Sequence, residues 1–133
     1  MNKSEILNET IAFYGKDKNR RAEVSGSCSY VTDDGRNCAL GRCLLPRLRT
    51  KKGFNTSKYD LDNGDTVWGI NNKVKLDVIL SKKYRGHSVL FWTQIQELHD
   101  DEYNWSDSGG LSDRGQGKVK LIEDKIAKGE LDD

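Results

Sequence analysis

Nucleophilic catalysis needs a thiol that ionises and a base held beside it, and this chain carries residue types suited to both. Asn37 is a good N-cap for a short helix from Cys38 to Leu45, stopped by Pro46. A cysteine in the first turn of that helix meets free backbone donors and the positive end of the helix dipole, which favour the thiolate. His99 is the candidate base and Asp100 the group that would orient it. Against this reading, His99 falls late in its own helix and no oxyanion side chain is evident. Cysteine also packs in cores more often than it reacts. The acids Asp100, Asp101 and Glu102 oppose the dipole at a helix C-terminus, so His99 also reads as a buried-edge residue that closes the helix.

Two other chemistries use the same region. Cys28, Cys38, Cys43 and His99 are four ligand types that zinc accepts, but their spacing lacks the close cysteine pairs of recognisable zinc sites. Cys38 and Cys43, five apart on a short helix, point in different directions. No metal or cofactor is therefore expected. Anion binding is the second. Arg20, Arg21, Arg42, Arg47, Arg49, Lys51 and Lys52 cluster in the first half, and the planar fork of arginine suits phosphate. Tyr30, Trp68 and Trp105 offer rings on which a base could stack. The glycine run from Gly109 to Gly117 leads into a helix, where phosphates often sit, but Val119 after Lys118 breaks the phosphate-loop pattern. Charge runs of this kind are more often solvated surface than sites.

Composition sets the bounds. A length of 133 residues fits one domain, 1–133, and apolar residues make up only 35%, so the core is modest. The net charge of +1 speaks against an acidic mimic of nucleic acid and against a strongly basic packer. That balance hides an asymmetry: residues 1–59 hold 12 Lys and Arg against 6 Asp and Glu, whereas 60–133 hold 10 against 15. No signal peptide, no apolar run of membrane-spanning length and an odd number of cysteines point to reduced thiols in the cytoplasm.

The elements that must position these residues read as α+β: four or five helices with a short antiparallel hairpin or small sheet. Ser4 caps a helix over 4–15 with Ile6, Leu7, Ile11 and Tyr14 at helical spacing. Cys28 to Cys38 forms a hairpin around Asp33-Asp34-Gly35. One register pairs Tyr30 with Cys38 and puts Cys28 on their face; the other pairs Val31 with Cys38 and turns Cys28 away. Residues 47–65 read as a long loop and Thr66–Ile70 as a short strand. Residues 73–80 fit either alternation or a helix, with the helix favoured. Ser88 caps a helix over 89–100 in which Phe91, Ile95 and His99 share a row and Leu98 widens it. Ser112 caps a last helix over 113–128, built on Val119, Ile122 and Ile126 and stopped by Gly129, and the acidic tail 130–133 is expected to fray.

The segment Cys28-x-Tyr30, then Gly35-x-x-Cys38-Ala39-x-Gly41-Arg42-x-Leu44, resembles a group of small proteins encoded by tailed phages and prophages. The stretch Ile95-Gln96-Glu97-Leu98-His99-Asp100 is similar to a downstream motif of that group, with Ile95 in place of its usual leucine. Leu45-Pro46-Arg47 stands where relatives often have Ile-Pro-Asp. The resemblance covers about half the chain. It implies that Cys28, Cys38, Gly41, His99 and Asp100 belong to one structural unit and carries no reaction with it. A phage source implies an accessory protein that binds a host protein or sequesters a phosphate-containing ligand through the arginine-rich half. The alternatives are a Cys-His hydrolase or transferase using Cys38, His99 and Asp100, and a nucleic-acid-binding module.

Overall fold

The computed structural model describes residues 1–16, 39–46 and 73–132, together with the strand residues 23–24 and 27–28. Four α-helices stand among them: α1 (Lys3–Gly15), α2 (Lys73–Ile79), α3 (Val89–Asp100) and α4 (Asp113–Ala127). Short 3-10 turns at Gly41–Cys43, Lys82–Tyr84 and Glu102–Asn104 link or flank them. The α+β expectation is therefore corrected to a mainly helical fold. The strands β1 (Glu23–Val24) and β2 (Ser27–Cys28) pair antiparallel over two residues each, Glu23 with Cys28 and Val24 with Ser27. Such a pair is too short to present an apolar face on which helices could pack. Cys28 thus pairs backwards with Glu23. The rest of the expected hairpin, the loop at 47–65 and the strand at 66–70 lie outside the described residues.

Local signals explain where the helices begin. Asn2, not Ser4, caps α1: its side chain accepts from the Glu5 amide at 2.8 Å while Glu5 reaches back to the Asn2 amide at 3.1 Å. Asn2 wins because only it has a glutamate three residues on to complete the reciprocal box. Ser88 caps α3 by accepting from the Phe91 amide, and Ser112 caps α4 by accepting from the Gly115 amide. In α2, Leu76 is buried, as is Leu80 just after it, while Val78 is 67% exposed, the helical pattern rather than the alternating one.

The expected helix from Cys38 to Leu45 is, in its described part, a 3-10 turn over Gly41–Cys43 that gives way to extended backbone at Leu44. Leu44 forms a β-bridge with Leu80, and the amides of Leu45 and Ser81 bond to the carbonyls of Ile79 and Cys43, each at 2.9 Å. Those cross-chain bonds take the place of the helix's last turn. The core gathers Ile6, Leu7 and Tyr14 of α1, Leu40 and Leu44, Phe91, Trp92, Ile95 and Leu98 of α3, and Val119 and Ile122 of α4. The tail is held through its described residues: Leu131 is buried, its carbonyl accepts from the Ser88 hydroxyl, and Asp132 pairs with Lys3 at 3.1 Å.

Candidate functional site

Two helices make the site. α3 ends at Asp100, and Asp101 turns the chain by accepting from the Tyr103 amide at 3.0 Å. The 3-10 turn that follows is locked to the start of α4, because the Ser112 amide bonds to the Asn104 carbonyl at 2.9 Å and its hydroxyl bonds to the Tyr103 carbonyl. Gly115 lets α4 come in close: a Cβ there would lie 2.0 Å from the Asn104 carbonyl oxygen. The two helices then run back along each other, with Arg114 on Asp101 at 2.9 Å and Lys118 on Glu97 at 2.8 Å. Lys118 also donates to Gln94 at 2.9 Å.

Between them lies a groove of about 650 Å³, lined by Glu97, Asp100, Asp101 and Asn104 on one side and Arg114, Gly117, Lys118 and Leu121 on the other. Three carboxylates face two cations. Leu121 is 59% exposed and adds an apolar patch, while Gly117 leaves bare backbone, since a Cβ there would meet nothing within 4 Å. This arrangement can hold a ligand by ion pairing and apolar contact together.

His99 and Asp100 do meet, Nδ1 to Oδ1 at 2.8 Å, and Asp100 reaches the groove. The imidazole itself is 1% exposed and packs edge-on to Tyr14, with ring centres 4.8 Å apart. A base so enclosed is out of reach of a substrate in the groove, so the pair closes the end of α3. Cys38 lies outside the described residues. Cys43 is buried, its thiol donating to the Ala39 carbonyl at 3.4 Å. Among the described residues no group of three His, Cys, Asp or Glu side chains is placed to hold a metal.

Of the expected anion set, Arg42 and Trp105 fall among the described residues. Arg42 turns inward, to Glu9, Tyr84 and Thr10, and its guanidinium stacks near Phe13 and Tyr84. Burial alone would raise the Glu9 carboxyl, but hydrogen bonds from Tyr84 and Arg42 and the charge of Arg42 bring it below the usual range. Burial and the bond to Glu9 push the Tyr84 phenol well above its ordinary value. Trp105 is 7% exposed and donates from its indole to the Leu98 carbonyl at 3.1 Å, which leaves no face for stacking. Arg20, Arg21, Tyr30, Arg47, Arg49 and Trp68 lie outside the described residues.

The glycine run serves packing rather than a phosphate cradle. Gly109 and Gly110 have positive φ, and the Gly110 amide bonds to the Gly15 carbonyl at 2.7 Å, tying the end of α1 to the loop before α4. In the sequence, Asp101 reads as an acid at a helix end, Glu97 falls in a motif and Lys118 stands beside a glycine run, but no motif joins them with Arg114 into a site. Their signal was present as acids four apart on one helix and bases four apart on the next. No helix among the described residues is long and apolar enough to cross a membrane. No family model, no curated protein and no solved structure matches the chain.

Proposed function

We propose that the chain is a binding module that engages a partner protein through the groove between α3 and α4. The observation that carries this reading is the groove itself: its ion pairs are formed in the unliganded chain and its helices rest on the core, so the surface is ready before a partner arrives. The burial of His99 counts against a Cys-His hydrolase, and the inward turn of Arg42 against phosphate capture by that residue. The resemblance to phage-encoded proteins favours an accessory role acting on a host protein, and the odd cysteine count favours a reducing cytoplasm.

Native mass spectrometry of the chain, purified gently from bacterial cells with an infected culture alongside, tests the proposal. The expected result is an added protein mass that is lost in Leu121→Lys, a change at a position 59% exposed. A bare chain, a nucleotide or metal adduct, or a complex unaffected by Leu121→Lys overturns it.

A further inference from the structure

We infer that the groove takes a cationic side chain, an arginine or lysine of the partner, with its charged head at Asp100 and its alkyl stem along Gly117 and Leu121. The inference rests on the groove being the binding surface and names what that surface recognises. Of its three carboxylates, Asp101 is matched by Arg114 and Glu97 by Lys118. Asp100 instead accepts from the imidazole of His99, which approaches from the core side. Its side chain remains 22% exposed toward the groove, so the surplus negative charge sits there.

The rest of the groove suits a long stem. Gly117 gives a floor without a side chain, and Leu121 supplies apolar surface beside it. A lysine or arginine carries three or four methylenes behind its charge and gains from laying them on such a surface. Arg114 and Lys118 line the opposite wall, where their carboxylate partners offset their charge. They also hold Asp101 and Glu97 in place, so those acids are spoken for and the incoming charge is directed to Asp100. His99 occupies Oδ1 of Asp100, so the incoming head bonds to the other carboxylate oxygen, which either an arginine or a lysine can do.

The test uses the full chain, labelled with ¹⁵N, titrated with N-acetyl-Gly-Arg-Gly-amide. The control peptide has citrulline in place of arginine, which keeps shape and polarity but removes the charge. The expected result is saturable shifts at the Gly117, Lys118 and Leu121 amides with a Kd of about 1 mM, the scale of a single anchored group. Citrulline should bind at least tenfold more weakly, and added salt should weaken the arginine peptide. Gly117→Leu starts from a Cβ that meets nothing within 4 Å, so it should fold, cover the floor and abolish the shifts; Asp100→Asn should weaken them about fivefold. Equal shifts from both peptides, shifts elsewhere on the surface, or no shifts overturn the inference. If the peptide fails while the cellular complex still depends on Leu121, the cationic anchor falls and the groove reading stands. If both fail, both fall.

Discussion

Gly115 and Gly117 sit two residues apart in α4, and replacing each with alanine should move stability in opposite directions. Alanine favours a helix interior over glycine by about 1 kcal/mol, so Gly117→Ala, whose new methyl meets nothing within 4 Å, should gain most of that amount. At Gly115 the same methyl would stand 2.0 Å from the Asn104 carbonyl oxygen, 2.9 Å from its carbon and 2.9 Å from Leu111 Cδ2. Restoring ordinary contact requires α4 to retreat from the 3-10 turn by about 1.4 Å. That motion stretches the bonds from the Ser112 amide to Asn104 and from its hydroxyl to Tyr103.

Overpacking costs about 1–3 kcal/mol and each of the two weakened hydrogen bonds about 1, against a helix gain of about 1, which leaves a net loss of roughly 2–4 kcal/mol. For 133 residues this corresponds to a Tm lowered by roughly 6–20 °C, against a rise of roughly 2–5 °C for Gly117→Ala. Calorimetry of both variants beside the parent is the assay. A Gly115→Ala chain as stable as Gly117→Ala would refute the close approach of α4 to Asn104, and with it the geometry of the groove.

His87 gives a pH prediction. Burial, then the nearby Lys3 and N-terminal charges, lower its pKa, outweighing the Met1 carbonyl that Nε2 contacts at 2.8 Å. The unfolded chain therefore binds the proton more readily, so the contribution is complete above the ordinary value of 6.5 and is lost as pH falls below it toward the lowered folded value. Urea midpoints measured from pH 7.5 down to 5 should fall less in His87→Gln than in the parent; equal slopes would contradict this. Arg42→Met leaves the Glu9 carboxylate facing Tyr84 without its cation and should cost about 2–3 kcal/mol in urea denaturation, with Glu9→Gln in the same background recovering part of it. A loss under about 0.5 kcal/mol would show the pair to be an ordinary surface contact. Cys43, fully buried, should resist iodoacetamide in the native chain and react in urea, read by peptide mass mapping; rapid native labelling would mean that the 39–44 segment opens.

The helices were legible where a cap and a period agreed. Ser88 with Phe91, Ile95, Leu98 and His99, and Ser112 with Val119 and Ile122, are local patterns, and the structure places both helices within a residue or so of expectation. What failed depended on partners far away in sequence. The helix expected through Leu44 yields to an extended bridge because Leu80, 36 residues on, offers backbone groups to pair with. Gln96 accepts from the Leu40 amide at 3.0 Å, a buried polar contact across 56 residues that no local pattern announces. The α+β reading failed for a related reason: β-branched residues and a turn signal near Cys28 describe what a segment can do alone, whereas the described pairing runs back to Glu23.

The site was misplaced because residue type says less about function than the face on which a residue falls. His99 shares a helical row with Phe91 and Ile95, so any fold that buries those two also buries the imidazole, and its chemistry is spent on Asp100. Trp105 and Arg42 follow the same logic: each is an amphipathic side chain whose polar end satisfies a group at the edge of the core, Leu98 in one case and Glu9 in the other. The groove is built instead from lysine, arginine and acids at positions that any solvated helix would carry. Their pairing becomes visible only when α3 and α4 are laid antiparallel, with 101 against 114 and 97 against 118. About one turn past Lys118, α4 presents Leu121, an apolar residue 59% exposed at a place where ion pairing would have continued on a purely solvated seam. Its exposure there is what separates a recognition surface from decoration, and it is why Leu121, rather than any charged neighbour, is the residue on which the binding proposal should first be tried.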